Sequence, residues 1–119
     1  FKLEMTTATT QLTAAGAGSD ITTIIDCCNS FLNKNKFDEC VNIIRNELNT
    51  FISKIIKFLD DSRDLLAKRK MYLIKSYFHS IERLLDAGPE AKTSLEEHFV
   101  KLEEVTKETV GIFKIQLPA

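Results

Sequence analysis

Apolar residues recur along most of this chain at intervals of three and four, the spacing of one face of an α-helix. The strongest run is Phe37, Val41, Ile44, Leu48, Phe51, Ile55 and Phe58, an unbroken 4-3-4-3-4-3 pattern. Ile52, Ile56 and Leu59 widen that face to an arc of roughly 160°, broader than a two-stranded coiled-coil seam. Such a helix belongs in a bundle. Upstream, Ile21, Ile24, Ile25, Cys28, Phe31 and Leu32 share one face of a shorter helix, with Ser19 or Asp20 as its cap. The polar stretch Asn33-Lys34-Asn35-Lys36 joins the two.

Downstream, Leu59-Asp60-Asp61-Ser62-Arg63-Asp64 holds no Gly or Pro, but Asp61 and Asp64 read loosely as a cap and predict a break. The alternative is one helix over 37–87, about 75 Å long, which suits a domain-swapped dimer. The next face is Leu66, Leu73, Ile74, Tyr77, Phe78, Ile81, Leu84 and Leu85. Gly88-Pro89 ends it, and Pro89 opens a last helix with the stripe Leu95, Phe99, Leu102, Val105, Ile112 and Phe113. Leu117-Pro118-Ala119 trails off. Short links make consecutive helices antiparallel neighbours. The expected fold is therefore all-α: an up-and-down antiparallel bundle of four long helices within residues 19–119.

Residues 1–18 differ in composition. Threonines alternate with alanines before Gly16-Ala17-Gly18, yet Phe1, Met5, Ala8, Leu12 and Ala15 form a thin helical stripe. The segment reads either as a fifth helix docked on the bundle or as a tail. A first residue of Phe rather than Met fits a processed chain or a piece of a longer one. The segment lacks the basic and continuous apolar regions of a signal peptide.

Composition narrows the function classes. Apolar residues are 44% and charged residues 28%, a globular balance. Sixteen Lys+Arg against seventeen Asp+Glu give a net charge of −1, without the basic excess of a general nucleic-acid binder. No run of about 18 apolar residues predicts a transmembrane segment.

Three cysteines stand at positions 27, 28 and 40, with no second CxxC and no paired histidine to make a zinc site. Cys27 and Cys28 precede the Lys34–Asn35 region by about as many residues as Cys40 follows it. A helical hairpin puts them at one height. A disulfide from Cys40 to either Cys27 or Cys28 is thus reasonable, the partner being open, and it implies an extracellular or lumenal protein. The odd thiol offers a route to a dimer. The plain alternative is three small buried hydrophobes in a reducing compartment.

Nothing predicts catalysis or a cofactor. Glu96, Glu97, Glu103, Glu104 and Glu108 crowd the polar face of the last helix, with Lys101 and Lys107 at i,i+4. Neither His79 nor His98 follows a Glu at the spacing of a di-iron motif, and no phosphate-loop, zinc-protease or nucleophile-elbow motif occurs.

Two polar residues fall on apolar faces. His98 sits between Leu95 and Leu102, where a backbone carbonyl is its ordinary partner. Lys70 falls mid-arc between Leu66 and Leu73, where it must snorkel or find an anion. Thr106 and Thr109 also face inward. With Tyr77, Phe78 and Phe99, Lys70 and His98 make a candidate site for an amphiphile lying between the helices. The leading expectation is a small secreted, non-enzymatic bundle that binds a fatty acid or other lipid. The alternative is a protein-interaction module, either a domain of a longer chain or a secreted ligand for a receptor.

Overall fold

The computed structural model describes residues 21–115. The readings for 1–18, the Ser19/Asp20 cap and Leu117–Ala119 lie outside the described residues. Within them the chain is helical throughout, with no strand.

α1 spans Ile21–Asn33 and buries Ile21, Ile24, Ile25, Cys28, Phe31 and Leu32, the six residues of its stripe. Asn35 closes it in the left-handed region at φ 57°. The Asn35 N–H donates to the Leu32 carbonyl at 3.1 Å, and the Lys36 N–H to that of Phe31 at 2.8 Å. These are the two bonds of a Schellman cap, with asparagine standing in for the usual glycine.

α2 occupies 37–60 in three parts: α-helical Phe37–Ile43, a π-helical turn Ile44–Leu48, and α-helical Asn49–Asp60. The π turn explains a departure from the sequence reading. Cys40, Ile44, Leu48 and Ile52 are all buried, in steps of four. Along an ideal α-helix each such step drifts about 40°. One wider turn absorbs the drift, with the Asn49 N–H reaching back five residues to the Ile44 carbonyl. The buried face is displaced from the simple stripe as a result. Leu59 is fully buried while Phe58 is 43% exposed, and Phe37 and Val41 are half-buried while Cys40 is sealed.

The chain breaks where the Asp-rich stretch predicts. Asp64, rather than Asp61, caps α3 (Leu65–Ala87), its Oδ1 accepting from the Leu66 N–H at 2.7 Å. The Asp64 N–H in turn donates to Ser62 Oγ. The inward face of α3 keeps Ile74, Phe78, Ile81 and Leu85 of the expected one and corrects the rest. It consists of Ala67, Met71, Ile74, Phe78, Ile81 and Leu85, while Leu66 and Leu73 are exposed. The small Ala67 and the adaptable Met71 face the core in their place.

Gly88 ends α3 at φ 86°, ψ −166°, a region closed to residues with a Cβ. A 3₁₀ turn, Pro89–Ala91, leads into α4 (Lys92–Phe113). α4 buries Leu95, Phe99, Leu102, Val105, Thr106 and Thr109. The Thr109 hydroxyl donates back to the Val105 carbonyl at 2.7 Å. Lys114 turns left-handed at φ 50°, and the Ile115 N–H bonds the Val110 carbonyl at 3.1 Å. This turn buries Ile115 and leaves Ile112 47% exposed.

Each helix packs on the next, and α1 closes against α4. Thr22 Oγ1 donates to Glu103 Oε1 at 2.7 Å across that closing seam. The Cα radius of gyration, 14.1 Å, is close to the ~13.5 Å expected of a compact domain this long.

Candidate functional site

The structure separates Lys70 from the other residues expected to hold an amphiphile, and it keeps Tyr77, Phe78 and Phe99 in one packed cluster. Lys70 does not lie at the centre of a buried face. It sits at the α3–α4 seam with its Nζ 2.5 Å from Glu108 Oε1. His98 is half-buried, and its Nδ1–H donates to the Ser94 carbonyl at 2.7 Å, one turn back on α4. Phe99 is fully buried and Phe78 nearly so, both as core packing, while Tyr77 is half-buried beside them. The Lys70–Glu108 pair sets the register of the antiparallel helices. Lys70 is thus level with Glu108, about 15 Å along the axis from His98. One headgroup cannot use both. Each polar group already has a partner.

The cysteine geometry is sharper than the sequence allowed. Cys28 on α1 and Cys40 on α2 are both fully buried and belong to the same core cluster. The neighbouring Cys40 thiol and then burial hold the Cys28 thiol well above its ordinary pKa of 9.0. Cys27 is half-buried at the edge of the core, its thiol raised by burial and then by the Asp26 carboxylate. All three are free thiols in this structure.

The largest change from the sequence reading is at the end of the bundle where α2 turns into α3. Phe58, Asp61, Ser62 and Phe113 line an open groove of about 380 Å³. Leu66 lies one turn from Lys70 and Ile112 one turn from Glu108, so the ion pair puts these two at one level along the antiparallel α3 and α4. Phe58, Leu66 and Ile112 are each more than two-fifths exposed, and Leu65 is 65% exposed. Sequence periodicity assigned Phe58, Leu66 and Ile112 to the core. Lys68, in the first turn of α3, bonds the Asp60 carbonyl and pairs with its carboxylate at 3.4 Å.

The acidic face of α4 is a solvated one. Glu103 pairs with Lys107 at 3.2 Å and Glu96 with Lys92 at 3.9 Å. Among the described residues no group of three His, Cys, Asp or Glu is placed to hold a metal ion. No helix among them is long and apolar enough to cross a membrane. In comparison with known proteins, the chain matches no protein-family model, no curated protein and no solved structure.

Proposed function

We propose that this chain is a non-enzymatic binding module that docks an amphipathic helix of a protein partner at the end groove. The observation that carries this reading is an open concavity with Phe58 and Phe113 in its lining, together with the exposed Leu65, Leu66 and Ile112 on the adjoining stretches of α3 and α4. Apolar residues gathered on a surface mark interaction sites more often than the same residues scattered singly. An apolar groove is the kind of site that takes the apolar face of an amphipathic helix. Asp61 and Ser62 supply polar contacts at the lining. Lys70 and His98, with Glu108 and the Ser94 carbonyl as partners, offer little to a fatty-acid carboxylate inside the bundle.

A second reading keeps the secreted hydrophobic-ligand binder but moves its site to this groove. Its support is the groove's volume of about 380 Å³, within the ~300–1,000 Å³ range of small-molecule sites.

The test is a display selection of helical peptides against the protein, followed by backbone NMR titration with the selected peptide and, separately, with palmitate. The docking reading expects amide shifts around Phe58, Leu66 and Ile112 with peptide. It also expects binding to be lost in Leu66→Asp and Ile112→Asp variants that keep the parent's helicity and Tm. Palmitate shifting the same amides, with no peptide selected, favours the second reading. Palmitate shifts centred on Phe78 and Phe99 overturn both and return the ligand to the bundle interior.

A further inference from the structure

We propose that Cys28 and Cys40 are a disulfide pair that closes the α1–α2 hairpin during folding in an oxidising compartment, leaving Cys27 as the free thiol. This rests on the hairpin rather than the end groove, so it stands or falls apart from the docking reading. The two side chains are fully buried in one core cluster and belong to adjacent antiparallel helices joined by a capped turn, at similar distances from that turn. Cys27 precedes Cys28 by one residue and is therefore about 100° around α1, off the face that meets Cys40.

The reaction is thiol–disulfide exchange with a small external disulfide such as oxidised glutathione. One cysteine thiolate attacks the external disulfide, forming a mixed disulfide and releasing one glutathione thiolate. The second cysteine thiolate then displaces the other glutathione. Overall, two cysteine thiols are oxidised to one disulfide and one glutathione disulfide is reduced to two thiols. In the folded, reduced protein Cys28 is sealed from solvent and held in its protonated form. Exchange needs the thiolate, so closure belongs to the folding chain, before the hairpin shuts. A bridge of this kind persists in secreted or lumenal proteins. That is the compartment the cysteine spacing first suggested.

The experiment is refolding of the whole chain from guanidinium in a glutathione redox buffer, with a parallel sample in excess reductant. Both are then denatured, alkylated and mapped by fragmentation mass spectrometry. The expected product has lost two hydrogen masses, carries the alkyl group on Cys27, and yields a cross-linked peptide joining Cys28 to Cys40. Three alkylated thiols, or a linkage through Cys27, overturns the proposal. Cys27→Ser must still form the bridge; failure to do so overturns it too. In that variant the bridged form should unfold with an equilibrium constant on the order of a hundredfold smaller than the reduced form, the entropic effect of a short closed loop. A bridged form no more stable than the reduced one shows that the native geometry does not accept the bond.

Discussion

The ammonium of Lys70 lies 2.5 Å from Oε1 of Glu108, across the seam between α3 and α4. The lysine side chain is 18% exposed and the glutamate 56%, so water reaches the pair from one side. Half-solvated pairs of this kind contribute little. Glu108→Gln is expected to lower stability by no more than about 1 kcal/mol, and the loss should shrink as salt rises. Urea unfolding at low and high ionic strength reads both. A loss of several kcal/mol that salt leaves untouched would mean that the ammonium is buried.

Neighbouring positions on α3 give opposed expectations. Leu66 is exposed and Ala67 is fully buried. Leu66→Ala should change stability by less than about 0.5 kcal/mol, as for ordinary surface sites. Ala67→Leu forces extra methylenes into a closed interior and should cost about 1–3 kcal/mol. Denaturation midpoints of the two variants decide which residue faces the core. The reverse ranking would restore the face expected from the periodicity.

The reduced protein should lose stability at alkaline pH. Cys28 titrates well above 9.0 when folded and near 9.0 when unfolded. Below that value both states hold the proton and stability does not depend on it. Above it the unfolded state releases the proton first, so ΔG of unfolding falls until the folded-state pKa is passed. Thermal unfolding in reductant across this window should show the decline in the parent. A Cys28→Ala variant, less stable at neutral pH, should show a shallower one. Equal slopes in the two would assign the decline to other groups.

Two chain reversals differ in what glycine does for them. A Cβ at Gly88 meets nothing within 4 Å, so the cost of Gly88→Ala comes from its backbone angles alone. That cost should be about 1–3 kcal/mol. Lys114 holds a left-handed φ of 50° with a side chain attached. Lys114→Gly is expected to stabilise, by up to about 1 kcal/mol. A pair of Tm measurements with opposite signs is the expected outcome.

The π turn makes a prediction about deletions. Removing the exposed Asn46 from it turns the buried positions of α2 into an ordinary 4-3-4-3 series, so both halves keep their inward residues. Removing the equally exposed Lys54 instead rotates everything beyond it by about 100°. Deletion of Asn46 should leave a cooperative, helical protein, and deletion of Lys54 should not. Circular dichroism melts compare them directly; equal damage would argue against a π turn there.

The helix count, the links and the face of α1 were all legible, because their signals are local: periodicity, Gly88-Pro89 and the Asp64 cap. Cys28 and Cys40 were placed at one height by counting from the turn, although the choice against Cys27 needed the azimuth of α1. The face of α3 was legible in Ile74, Phe78, Ile81 and Leu85 but not in its first two turns. It carries two adjacent apolar rows, Leu66/Leu73/Tyr77 and Met71/Ile74/Phe78, and only the shape of the neighbouring helices selects between them. Lys70 looked central to the buried face for that reason. The end groove was hidden for a related one. Phe58 belongs to a stripe that is continuous in sequence, but the wider turn shifts its phase before Phe58 is reached.

That wider turn also limits how α2 can move. A helix with a uniform stripe can slide by one turn along its neighbours and meet much the same surface. In α2 the wider turn sits at a single height, between Ile44 and Leu48, and packs against α1. Sliding would set that wider turn against the wrong level of α1. The turn works like a notch in a key: it admits one axial alignment and holds both Cys40 and the end groove at fixed heights in the bundle.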